Sequence, residues 1–136
     1  MSPDEIVLVR QGFSRIAPMS EQVGMAFYDR LFALDPSLRA LFRGDIRSQA
    51  GHLMAALAMV VRSLDNLSSI LERIQALARR HVAYGVQPHH FATVGAAFLG
   101  TLEAGLGEAF TPEARAAWTR AYETLAGAMS TALQSA

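Results

Sequence analysis

Residues 67–86 read LSSILERIQALARRHVAYGV. Apolar side chains fall at Leu67, at Ile70 or Leu71, at Ile74 and at Leu77, and the next member of the series is His81. Spacings of three and four residues put all of them on one face of an α-helix. That face belongs against a core, so the histidine that continues it should point inward. Arg79 and Arg80 stand immediately before His81, and Gly85 follows one turn later, a natural helix stop.

The same spacing recurs on both sides of this stretch. Ile6, Val9, Phe13 and Ile16 form a stripe near the start, and Trp118, Tyr122, Leu125, Met129 and Leu133 form one near the end. Alanine is the commonest residue, and β-branched residues are scattered. Helix starts are marked sharply. Ser2-Pro3-Asp4-Glu5 is a capping box with proline at the first helical position, and Asp35-Pro36 and Thr111-Pro112-Glu113 repeat the cap-then-proline order. Gln87-Pro88 opens another helix. The pattern predicts an all-α chain with helices over 3–17, 20–33, 36–42, 46–64, 68–83, 88–106 and 112–134.

Composition bounds the chemistry. The chain has 136 residues, is 51% hydrophobic and 18% charged, and so carries enough apolar surface for one core and one domain over 1–136. Twelve acidic residues balance twelve basic ones, which gives no support to nucleic-acid or anionic-membrane partners. Every basic residue is arginine, so lysine Schiff-base chemistry is excluded. Without cysteine, disulfides, thiolate catalysis, iron–sulfur clusters and cysteine-based zinc sites drop out as well. The longest apolar run, Leu53 to Val61, is about half of the ~20 residues that span a bilayer. The acidic, polar N-terminus is unlike a signal peptide, and the expectation is a soluble cytoplasmic protein.

The informative residues are the polar ones that interrupt apolar stripes. His81 is either a hydrogen-bonded core histidine or a ligand to iron or haem, a role neutral imidazole suits. The guanidinium groups beside it could meet a carboxylate such as a haem propionate. Tyr28 shares a face of the second helix with Gly24, Leu31 and Phe32. It is either a packing residue with its hydroxyl tied to a backbone carbonyl, or a donor to a ligand. Gln49 lies one turn before Leu53, as a solvated helix-end residue or as a second donor at a pocket mouth. Phe42 alone reads as core. His52 falls beside that pocket rather than in it, and the adjacent His89 and His90 point to different faces. No His-x-x-Glu-His or His-Glu-x-x-His arrangement and no glycine-rich phosphate loop is present. A Ser-His-Asp set stays open by order alone, without the strand–turn–helix elbow that would seat its nucleophile.

Together these residues resemble the globin family, and more narrowly the bacterial single-domain haemoglobins related to the haem domain of flavohaemoglobins. The resemblance runs through Phe27-Tyr28, Asp35-Pro36 to Leu41-Phe42, Ser48-Gln49, Leu53, Asp65-Asn66-Leu67, Arg80-His81, Tyr84-Gly85-Val86 and Ala117-Trp118 to Tyr122. It implies a three-over-three helical sandwich around haem b. In that reading His81 is the axial iron ligand and Phe42 packs on the porphyrin face. Tyr28 and Gln49 donate hydrogen bonds to bound dioxygen, and Leu53 is the apolar distal wall. Arg80 meets a propionate, and Val86, Val94 and Phe98 line the remaining walls. Arg43 and Arg47 could also meet propionates, or be solvated surface residues. The implied ligands are dioxygen, carbon monoxide or nitric oxide. The implied role is reversible oxygen binding, with nitric oxide dioxygenation through a separate reductase, or gas sensing, as alternatives. Two positions depart from the flavohaemoglobin pattern. The Tyr and Glu that hydrogen-bond around the axial histidine there fall on Phe91 and Leu133 here, which favours binding over peroxidase-like activation.

Overall fold

The computed structural model describes residues 2–42, 44–83 and 90–135, and their side chains except at 67, 71, 77, 80–83 and 128–135. Six α-helices account for most of it: α1 (Pro3–Ile16), α2 (Ser20–Leu34), α3 (Ile46–Arg62), α4 (Leu71–Ala83), α5 (His90–Leu106) and α6 (Pro112–Ser135). Short 3-10 turns join them at Ala17–Met19, Pro36–Leu41, Leu67–Ile70 and Gly107–Ala109. Among the described residues there is no strand.

The predicted caps form. The Ser2 hydroxyl accepts from the Glu5 backbone N–H at 3.2 Å, and the Glu5 carboxylate accepts from the Ser2 N–H at 3.0 Å. That second bond holds the Glu5 carboxyl below its ordinary range. Asp35 takes the Ser37 N–H at 3.1 Å and Thr111 takes that of Ala114 at 3.1 Å. Asp45 caps α3 by accepting from Arg47 N–H at 3.0 Å. The expected helix over 36–42 is a 3-10 turn instead, ending at Leu41. A proline start and six residues leave too little length for α-helical hydrogen bonds to accumulate. The start at Gln87-Pro88 and the stop at Gly85 lie outside the described residues.

α1 packs on α6, α6 on α4, and α2 on both α3 and α5. Two apolar clusters result. The larger holds Val9, Ile16, Met54, Ile74, Leu102 and Trp118. The second holds Phe27, Tyr28, Leu31, Leu38, Ala50 and Ala97, and Phe98 on α5 packs against both. The α2–α3 crossing that builds the second cluster depends on Gly24. A Cβ there would lie 2.8 Å from Ala50 Cβ and 3.1 Å from the Ala50 carbonyl oxygen, so only glycine lets the two backbones approach this closely.

Candidate functional site

Tyr28 sits in the middle of α2, four residues beyond Gly24, and is 6% exposed. Its ring meets three others: Phe27 edge-on at 5.0 Å, Phe42 edge-on at 5.3 Å, and Phe32 at 5.9 Å. Phe32 and Phe42 meet in turn at 5.5 Å. Leu53 from α3 and Val94 and Phe98 from α5 pack against the same cluster. The structure therefore brings together five residues singled out in the sequence, Tyr28, Phe42, Leu53, Val94 and Phe98, from four separate segments. Gln49 is half-buried on α3, one turn before Leu53.

The phenol of Tyr28 is the one polar group of that aromatic cluster. It makes no hydrogen bond to any described residue, and burial alone pushes its pKa up to about 12. It stays protonated at physiological pH and is able to donate a hydrogen bond. A second buried phenol, Tyr122 on α6, differs in this respect. It donates to the Phe91 carbonyl at 2.6 Å, with its pKa also raised by burial. Its ring lies against Phe98 at 5.8 Å and covers Gly95, where a Cβ would come within 2.8 Å of Cε2.

Phe42 is held from outside. Arg39 donates to the Phe42 carbonyl at 2.6 Å while its guanidinium lies 5.6 Å over the Phe32 ring. Sequence reasoning missed both Arg39 and Tyr122. An arginine three residues before an aromatic at a helix end was the available signal for Arg39. For Tyr122, only the place of a hydroxyl-bearing ring on the stripe of α6 pointed inward.

His52 is exposed on α3. Arg47 pairs with Glu21 at 3.1 Å and is solvated, in line with its surface reading. The backbone of residues 80 and 81 is helical in α4. The side chains of Arg80, His81 and Leu133, together with all of Arg43, Val86 and His89, lie outside the described residues. No group of three or more His, Cys, Asp or Glu among the described residues could hold a metal ion.

A sequence profile of the globin family matches residues 25–129. The chain belongs to the globin family. Its curated relatives include the flavohemoprotein of Bordetella pertussis, 35% identical over 129 residues, which cover 93% of this chain and 32% of that one. The flavohemoprotein of Vibrio cholerae is 33% identical over 116 residues, 80% of this chain and 29% of its own. The globin thus spans about a third of the length of these relatives. Among solved structures, an engineered carbene transferase from Rhodothermus marinus, whose parent is assigned as a nitric oxide dioxygenase, superposes with a TM-score of 0.91. It is 28% identical, with 99% of this chain and 94% of that one covered. A bacterial globin from Campylobacter jejuni shares the fold at a TM-score of 0.88 and 21% identity, covering 98% and 97%.

The residues of this cluster fit the haem these relatives imply. Apolar and aromatic side chains from α2, α3, α5 and the end of the 36–41 turn suit a flat, largely apolar ring system. The Tyr28 phenol, which makes no hydrogen bond to a described residue, suits a polarised ligand.

Proposed function

We propose that this globin, as a single domain over residues 1–136, holds haem b through His81 and reversibly binds dioxygen for storage, delivery or scavenging. Haem supplies a ferrous iron with an open site for a diatomic gas. The observation that carries the reading is the Tyr28 phenol, buried among aromatic rings, held protonated, and bonded to no described residue. A hydroxyl not committed within the fold can donate to a bound ligand. Tyr28 donates to the gas ligand, and Gln49 at the pocket edge supplies a second donor. Leu53 keeps water and protons from the site. Phe42, fixed through Arg39, covers the ring face, while Val94 and Phe98 close the α5 side. Arg80 meets a propionate, and Val86 completes the wall next to His81.

Carbon monoxide and nitric oxide compete for the same place. The likeness to a structure assigned as a nitric oxide dioxygenase supports a second reading, in which dioxygen would oxidise nitric oxide to nitrate and a separate reductase would supply the one electron that returns the iron from ferric to ferrous. Titration of the purified protein with haem, followed in the Soret region, tests the proposal. Saturation at one haem per chain is expected, and the absence of a tight end point would refute it. Rapid re-reduction under nitric oxide turnover would favour the enzyme over the carrier.

A further inference from the structure

Near the end of α3, Met59 receives a hydrogen bond from the start of α4: Nη1 of Arg73 donates to its Sδ at 3.5 Å. Met59 is half-buried and packs on the larger apolar cluster, while Arg73 is exposed. Arg73 pairs with no carboxylate among the described residues. A full positive charge with five N–H donors thus stands beside a thioether, a weak acceptor. It also lies in the first turn of α4, the end of a helix where the macrodipole disfavours a cation. An acceptor carrying negative charge density in place of the bare sulfur would make a much stronger bond. Oxidation of the sulfur supplies one.

The other methionines with described side chains differ. Met54 is 7% exposed in the larger cluster, Met25 is half-buried against the second, and Met19 is 42% exposed. No described donor reaches the sulfur of any of these three. A sulfoxide at Met54 or Met25 would be a polar group without a partner, and at Met19 water would solvate it.

We infer that Met59 is a site of reversible oxidation by hydrogen peroxide, and that Arg73 donates to the resulting sulfoxide and clasps α3 to α4. A sulfur lone pair attacks one peroxide oxygen, the O–O bond breaks and an S–O bond forms. The attacked oxygen passes its proton to the leaving hydroxide, so water departs. Sulfur loses two electrons and peroxide gains them. The new oxygen takes one of two lone-pair positions, and in one epimer that position faces Arg73. Arg73, exposed, draws back to make room for it. Methionine sulfoxide reductases return the thioether. The chemistry needs no haem, and it ties together the helix that carries Leu53 and the helix that carries His81.

Peptide mass mapping of the full chain tests this, after graded hydrogen peroxide under carbon monoxide, which keeps any haem iron from the oxidant. Met59 should gain one oxygen about tenfold or more faster than Met54, which must wait for a local opening. Urea unfolding then reads the consequence in a Met19→Leu background, free of the exposed sulfur. Oxidation should leave the midpoint of that protein unchanged or raised. With Arg73→Leu added it should lower the midpoint by about 1 M, because the half-buried sulfoxide has lost its donor. Arg73→Gln, which keeps a neutral donor, should fall in between. With Met59→Leu added, the midpoint should not move on oxidation. Uptake of oxygen at Met59 no faster than at Met54 would overturn the site. An equal fall in midpoint with and without Arg73 would overturn the clasp.

Discussion

The two buried phenols should respond in opposite ways to loss of the hydroxyl. Tyr122 spends its hydroxyl on the Phe91 carbonyl at 2.6 Å, so Tyr122→Phe removes a formed bond in the folded protein. The expected cost is about 1 kcal/mol of stability. Tyr28 spends its hydroxyl on no described residue, so Tyr28→Phe takes no bond away from the haem-free fold. Its stability should stay within about 0.5 kcal/mol of wild type, or rise. The functional effect should be reversed. A hydrogen bond to a polarised dioxygen is worth about 1.5–3 kcal/mol, as for other charge-assisted bonds. At ~1.4 kcal/mol per factor of ten, Tyr28→Phe should speed oxygen dissociation roughly ten- to a hundredfold. Tyr122→Phe should leave that rate within about twofold, because its ring still packs on Phe98 and only a bond remote from the gas is lost. Urea unfolding of the haem-free proteins reads the first pair of numbers, and stopped-flow oxygen displacement reads the second. Equal destabilisation by both substitutions, with an unchanged oxygen off-rate in Tyr28→Phe, would refute the reasoning.

Other outcomes follow from the same structure. His81→Ala should abolish stable haem retention, read as the haem-to-protein absorbance ratio after gel filtration; a normal ratio would sink the axial assignment. The folded pKa of Tyr28 is raised to about 12 from 10, so the neutral phenol is favoured by the fold. Stability from that shift is complete below pH 10 and drains away between about pH 10 and 12, by up to ~3 kcal/mol at 1.36 kcal/mol per unit. Alkaline unfolding of the haem-free protein should begin in that window, and Tyr28→Phe should delay it. Gly24→Ala should destabilise by about 1–2 kcal/mol in urea: overpacking against the Ala50 backbone outweighs the gain of about 1 kcal/mol in helix propensity.

Much of this fold can be read from local patterns, because caps and helical stripes are written within a few residues. Ser2 to Glu5, Asp35-Pro36 and Thr111-Pro112 set helix starts that the structure reproduces. The end of α3 is different. The stripe suggests residue 64, yet the helix stops at Arg62, where no glycine or proline marks it. Arg10 of α1 reaches across to take the Val61 and Arg62 carbonyls at 3.2 and 2.9 Å, a contact between positions far apart in sequence. The pocket shows the same division. That Tyr28 lies on the apolar face of α2 follows from spacing. Its meeting with Phe42 does not, since it depends on the 36–41 turn being 3-10 and on Arg39 bracing its end. Likewise, the stripe of α6 turns Tyr122 inward but leaves unsaid that the Phe91 carbonyl accepts its hydrogen bond.

The central claim is an open-site haem pocket with Tyr28 aimed at the ligand, and the absorption spectrum of the purified protein tests it most directly. The ferric protein should show a Soret band, the reduced protein a high-spin five-coordinate spectrum, and addition of oxygen or carbon monoxide a stable complex. A six-coordinate low-spin reduced form would contradict the open site and point to an internal second ligand. No haem absorption after haem is added would contradict the claim altogether.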